Sequence, residues 1–480
     1  MTRFLSQVCS LLFVAITFPA WGQDSIPSGN RWLDHLKNDL LPFWTSEAAL
    51  GKPVGAFPSI RCDDGMLYND KTPCPEVGAR RTPNERYLVA LSRQSFGYGV
   101  AFHLTGERKY LDMMKAGIDF IRLNAMDRAN GGMATTQDLS NGAWGPNPGH
   151  RTAQQLAYGL LGMAFYYHLT GDPDVLQDVV SVKNYIFDKY SNSEGALQRQ
   201  PTFRAGVRFR EDKALVDQLD QMNTYLILLT PLLPEPTRSE WKEDLVRLSK
   251  VMMDEFYSPT DKLFFLAANK PSDKDLARTP TDFGHSAKAL WMIRFTGFLT
   301  GRAELVEFAQ DNAQALLARA YLADCGCWAG GVLPGRIVDV NKLWWVYAEL
   351  NQLAGTLALS DTKYKRYLPR AYDYWFNHFV DAQFGEVWTS VDGRTHEPVR
   401  MMPKQWEWKN AYHSLEHALV GYIVAQSLNN KPVTLYYAFP NDDMAKSAQP
   451  YYYSGNAVDV EGETIGEGKR TQKLTFSNVH

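Results

Sequence analysis

Apolar residues along this chain recur at helical spacing in long runs cut by short polar breaks. Around the first clear break, Tyr98 and Phe102 lie upstream, and Leu111, Met114, Ile118 and Ile121 lie downstream. Spacings of three and four residues mark one apolar face of a helix. The break itself reads Leu104-Thr105-Gly106 and then Glu107-Arg108-Lys109, a helix stop followed by a helix start. Leu-Thr-Gly returns at Leu169 and at Leu299, intervals of 65 and 130 residues, and the skipped position near 234 holds Pro234-Glu235-Pro236-Thr237, another break. The repeating unit is therefore a helical hairpin of about 65 residues, and residues 30 to 430 hold six of them. Hairpins that cannot bury their apolar faces singly close into a ring, so the expected fold is all-α, an (α/α)6 toroid with a central cleft.

Both ends of the chain depart from this pattern. After about residue 432, Val433-Thr434-Leu435-Tyr436-Tyr437 and Lys473-Leu474-Thr475-Phe476 read as β, and nothing there reads as helix. The toroid is thus expected over 23–431, with a short β-like extension over 432–480. Residues 1–22 carry Arg3, an apolar run from Val8 to Phe18 and Ala20-Trp21-Gly22 before Gln23. That is the pattern of a cleaved secretion signal, too short for a membrane anchor. Cys9 lies inside the apolar run rather than at its end, which argues against a lipid anchor. A periplasmic or secreted location is expected, with no membrane span.

Charge and cysteines narrow the picture further. Without Arg3, the formal net charge of -3 becomes -4, and nucleic acid is excluded as a partner. Cys62, Cys74, Cys325 and Cys327 remain, an even number that favours disulfides in an oxidising compartment. Cys62 is expected to pair with Cys74. Cys325-Gly326-Cys327 is harder to read: a bond across one residue closes a small strained ring, and a metal site would need two further ligands that the neighbouring sequence lacks. Aromatic residues make up 13% of the chain, most of them expected in the core and the rest available to stack on sugar faces.

Three segments combine polar residues with tryptophan in a way that packing alone does not require. Asp282-Phe283-Gly284-His285-Ser286-Ala287-Lys288 sets His285 and Lys288 on one helix face. Lys342-Leu343-Trp344-Trp345-Val346-Tyr347-Ala348-Glu349 does the same for Trp345 and Glu349, and Trp406-Glu407-Trp408-Lys409-Asn410-Ala411-Tyr412-His413 runs from a Trp-rich loop into a helix. In this order the three segments resemble the N-acylglucosamine 2-epimerase and cellobiose 2-epimerase family, with its Gly-His-x-x-Glu, Trp-Trp-x-Gln-Ala-Glu and Trp-Lys-x-x-Tyr-His motifs. The resemblance implies an (α/α)6 barrel and a saccharide substrate, with no redox cofactor and no metal. It places His285 and His413 at the two general acid/base histidines and Arg93 at the carbonyl-binding arginine, and it makes Trp345, Glu349 and Trp408 substrate contacts.

Such a set has a physical logic. Moving the C2 hydrogen of a reducing sugar requires an open-chain carbonyl, a base of near-neutral pKa and a charge to hold the enediolate oxygen. The chain departs from the family at two positions. Lys288 stands where the family has Glu, and its charge is expected to lower the pKa of His285 and remove a ring-opening carboxylate. Asn223 stands near the family's His-x-His, able to bond a sugar hydroxyl but not to carry a proton.

Three other readings follow from the same residues. His413-Ser414-Leu415-Glu416-His417 spells an inverted zinc-hydrolase motif, although no later helix is expected to supply a third ligand. A polysaccharide-cleaving toroid would use two carboxylates drawn from Glu349, Glu386 and Asp282. A toroid that binds carbohydrate without turning it over would also accommodate Lys288 and Asn223.

Overall fold

The computed structural model describes residues 25–69, 74, 84–145, 151–201, 203–204, 207–208, 212–267, 278–465 and 469–480. The secretion signal read at 1–22 lies outside them. Six inner helices surround a common axis: Leu88–Thr105, Ala153–Thr170, residues 215–229, Phe283–Thr300, Trp344–Ala358 and Ala411–Leu428. Each packs on the next in sequence order and the sixth packs on the first, so the ring is closed and the expected all-α toroid is the fold.

The sequence pattern explains the two layers. An inner helix is touched on every side: from Leu88 to Leu104 each residue is buried, serines and glycines included. An outer helix needs one apolar stripe only, and Arg108–Asn124 buries Tyr110, Leu111, Met114, Gly117, Ile118 and Ile121 while its charged residues face water. Leu-Thr-Gly is the joint between the layers. Gly106, Gly171 and Gly301 end their helices with φ of 72°, 67° and 69°, a left-handed cap that costs glycine nothing. At the skipped position the third inner helix ends in a 3-10 turn, Thr230–Leu232, and its outer partner begins at Thr237. That third helix is also irregular in the middle, passing through a π turn at Met222–Leu226.

The sixth inner helix takes its outer partner from the start of the chain. Gly29–Asp34 packs against it, and Trp32 lies so close to Gly421 that an added Cβ would stand 2.4 Å from the indole. At the other end, strand Val433–Tyr437 pairs antiparallel with Lys469–Ser477, which pairs with Asn456–Ile465. The extension is therefore a small sheet, as expected. One correction applies: Asp442–Lys446 is a short helix, started by the Asn441 side chain accepting from the Met444 amide.

Both cysteine pairs are bonded. Cys62 joins Cys74 as expected, with Cα atoms 5.3 Å apart, and Cys325 joins Cys327 at 5.2 Å, so neither sulfur of the second pair is left for a metal. Among the described residues, no helix is long and apolar enough to cross a membrane.

Candidate active site

The residues singled out in the three segments come together where the first two turns of the inner helices meet. Asp282 caps the fourth inner helix: one carboxylate oxygen accepts from the His285 amide at 2.7 Å, and the other accepts from His285 Nδ1, also at 2.7 Å. The cap that starts the helix thus also fixes the imidazole through Nδ1 and leaves Nε2 out of that bond. Burial disfavours the charged ring, but the charge and hydrogen bond of Asp282 outweigh it and hold the His285 pKa above its ordinary value. This corrects the expectation drawn from Lys288. The Lys288 ammonium is spent on Asp220 (3.1 Å) and on the Tyr158 hydroxyl (3.0 Å), and it affects His285 less than Asp282 does.

Trp345 stands between the two histidines, its ring centroid 4.7 Å from His285 and 6.0 Å from His413. His413 is in the opposite situation. Its ring is 6% exposed, its Nδ1 has no hydrogen-bond partner among the described residues, and burial together with the charges of Lys288 and Arg93 holds its pKa well below the ordinary value. Glu349 and Glu416 face it, 3.6 and 4.0 Å from Nδ1. One Glu349 oxygen accepts from the Trp291 indole at 2.9 Å and the other has no partner. Burial pushes both carboxyls up, and the charge of Glu416 adds to the rise at Glu349, so the pair holds a proton above the usual carboxylate range.

Arg93 completes the ring of charges. Its guanidinium lies 3.8 Å over the Tyr158 ring and donates to the Trp408 carbonyl at 2.6 Å; Nε is buried without a partner, and Arg93 forms no ion pair among the described residues. Trp408 also flanks it, at 5.2 Å. The loop bearing Trp408 is anchored by Lys409, fully buried against Glu386 at 2.9 Å, and Glu386 further accepts from the Trp44 indole and the Ser414 hydroxyl. Asn223 sits on the π turn, fully buried, its Oδ1 accepting from the Tyr412 hydroxyl at 3.0 Å.

All eight expected site residues therefore fall in one neighbourhood, but Lys288 is occupied by protein partners, and Asn223 has its Oδ1 taken by Tyr412 while its Nδ2 has no partner among the described residues. Sequence reasoning missed Asp220, which neutralises Lys288 from the neighbouring inner helix, and Tyr158, whose hydroxyl accepts from it. Their only signal was their position at the start of the second and third inner helices, equivalent to Arg93 in the first. Glu416 was visible only as part of the zinc-hydrolase motif. That motif fails because His417 faces away, bonded to Asn351 at 3.0 Å and packed on Trp32 and Trp375. Glu349, His413 and Glu416 bring their donor atoms within 4.8 Å of one another, near enough for metal ligation. Lys288 and Arg93 direct two positive charges at the same space, and we assign no metal there.

No protein-family model matches the chain. Cellobiose 2-epimerase of Ruminococcus albus is 22% identical over 346 residues, 69% of this chain and 85% of the enzyme. That of Bacteroides fragilis is 23% identical over 406 residues, 79% and 94%. Cellobiose 2-epimerase from Bacillus thermoamylovorans B4167 shares the fold with a TM-score of 0.69 at 17% identity, covering 83% of this chain and 99% of its own. A D-mannose isomerase gives 0.66 at 17% identity, with 84% and 99% covered. More distant is an inactive variant of the α-1,6-mannanase of Salegentibacter sp. HEL1_6 in complex with α-1,6-mannotriose, at 0.53 and 12% identity over 83% of this chain and 99% of that one.

Proposed function

We propose that this chain, a relative of the cellobiose 2-epimerases in sequence and fold, is a sugar 2-epimerase or aldose–ketose isomerase that moves the C2 hydrogen of a reducing saccharide. The supporting observation is the pair of histidines on either side of Trp345, one raised by a carboxylate and one held neutral by burial and cations. Two titratable groups pushed apart by their surroundings divide acid and base roles at one pH.

In this reading His413 takes the C2 proton. The C2–H electron pair forms the C1–C2 double bond, and the carbonyl pair moves onto O1 to give an enediolate. Arg93, buried without a carboxylate partner, supplies the counter-charge for that oxygen. Protonation at C2 from the opposite side by His285 gives the epimer; transfer of the O2 proton to O1 with return of the abstracted proton to C1 gives the ketose. Trp345 and Trp408 offer ring faces to the sugar. The carboxyls of Glu349 and Glu416 stand where the acid needed for ring opening would be drawn from, in place of the family's Glu at 288.

Glycoside cleavage is less well supported. Glu386 is committed to Lys409, Trp44 and Ser414, and Asp282 to His285. The remaining candidate, Glu349, and its neighbour Glu416 both face the one imidazole of His413, at 3.6 and 4.0 Å.

The test is proton NMR in deuterated water with reducing mono- and disaccharides. Loss of the C2 hydrogen signal, absent in His285→Ala and His413→Ala, is the expected result. Binding without exchange would instead favour a carbohydrate-binding protein. Action outside the cytoplasm belongs to the same reading, supported by the apolar run Val8 to Phe18 and the two disulfides, and a mature protein beginning at Gln23 by mass spectrometry would bear it out.

A further inference from the structure

The C-terminal extension does more than lie against the toroid. Between the short helix Asp442–Lys446 and the strand Asn456–Ile465 it inserts three consecutive tyrosines, Tyr451, Tyr452 and Tyr453, all buried. Together they touch every inner helix. Tyr451 packs its ring on Phe96 of the first (6.4 Å) and Phe165 of the second (5.7 Å). Tyr452 donates to the Asn223 carbonyl of the third at 2.8 Å and lies 5.3 Å from Trp291 of the fourth. Tyr453 bonds Thr356 of the fifth at 2.9 Å, and the Tyr451 hydroxyl donates to Glu416 of the sixth at 2.6 Å. Phe165, Phe295 and Thr356 lie two turns beyond Tyr158, Lys288 and Glu349 on the same helices, and Phe96 lies three residues beyond Arg93, so the tyrosines stopper the ring beneath the site. Tyr451 adopts φ of 64°, a conformation a bulky residue rarely takes, and its rings and hydroxyl bond hold it there.

The stopper reaches the site at Asn223, through its backbone carbonyl, and at Glu416, through its side chain: Oε1 of Glu416 accepts from Tyr451, and Oε2 faces His413 Nδ1 at 4.0 Å. We propose that Tyr451 is a positioning residue for the site, holding Glu416 so that the Glu349–Glu416 pair is fixed beneath His413. This rests on the function proposed above. A phenol donating to Glu416 favours its carboxylate form and so leaves the pair's proton on Glu349. Without that donor the proton moves to Glu416, and Glu349, the nearer of the two to Nδ1, becomes the anion beside His413. The groups facing Glu416 are Tyr451, Tyr452 and Tyr453 of the extension, Glu349, Lys288, Arg93, and Tyr412 and His413 of its own helix. Of these, Tyr451→Phe alters only the first, and an anion beside His413 makes its ring easier to protonate.

The experiment compares Tyr451→Phe with Tyr453→Phe, which loses a buried hydroxyl bond of the same stopper but leaves Glu416 alone. His413 is titrated by side-chain NMR, and C2–H exchange is followed against pH. The expected result for Tyr451→Phe is a His413 titration moved to higher pH, an acid limb of exchange moved the same way, and a rate lower by about tenfold with sugar affinity retained, the size set by one hydrogen bond to a charged group. Tyr453→Phe is expected to lower the melting temperature and move neither curve. In a Glu416→Gln background the Tyr451 effect is expected to vanish, and if Tyr451→Phe does not fold, a His413 titration altered by Glu416→Gln alone reads the same contact. Two phenylalanine variants that differ only in stability, or an unmoved His413 in Glu416→Gln, would overturn the proposal. A wild-type protein that exchanges no sugar hydrogen would sink the enzymatic reading, while the His413 titration would still decide the role of Tyr451.

Discussion

His285 and His413 flank one indole yet occupy different kinds of place. His285 is at the rim, 18% exposed, seated at a helix start with a carboxylate on Nδ1. His413 is deep, with the same atom unbonded, two protonatable carboxyls near it and two cations acting on it. The first favours carrying a proton and the second favours lacking one. Residue type alone therefore does not assign an acid or a base. The nearest counter-charge and the depth of burial do.

The comparison is open to attack at each of its parts. The deep side matters most: His413→Ala is expected to reduce C2–H exchange by about 10²- to 10⁴-fold, the usual worth of a positioned base, and a retained rate in the NMR assay would remove His413 from the chemistry. Lys288 separates the two halves electrostatically and is itself buried on Asp220. Lys288→Met strands that carboxylate and is expected to cost about 3–5 kcal/mol in urea unfolding. On the rim, Asp282→Asn removes the charge that raises His285, so the alkaline limb of the exchange profile is expected to move to lower pH, with a loss of rate of about tenfold. A limb that stays in place would mean that another group carries the acid role. In the wild type this rim pair adds stability between the depressed value of Asp282 and the raised value of His285; the contribution is lost as pH falls through the first or rises through the second. The smallest effect belongs to the shared indole. Trp345→Phe keeps a ring between the histidines and is expected to weaken sugar binding by about 1 kcal/mol, read as a several-fold rise in KM.

The architecture was legible because it is local. A helix period, a glycine cap and a 65-residue repeat are all written within one hairpin, and they led to a ring of six. Site residues in short motifs were legible too, as with His285, Trp345, Glu349 and His413. What escaped was pairing across the ring. Lys288 looks in sequence like a free cation beside His285, and only the packing of the third inner helix on the fourth brings Asp220 to it from 68 residues away. The same holds for Tyr451, whose partner Glu416 lies on another element and spelled part of a different motif.

The ring also closes between the two ends of the chain: Gly29–Asp34 backs Ala411–Leu428, with Trp32 seated against Gly421. A toroid joined in this way has an order of assembly. Five hairpins can form as the polypeptide is made, but the helix that carries His413 has its neighbours only when nearly the whole chain has emerged, and the segment it packs on was synthesised first. The candidate site is then among the last parts to form on a growing chain. A truncation between the fifth inner helix and Ala411 should yield a helical body whose ring is open and whose site lacks His413 and Glu416.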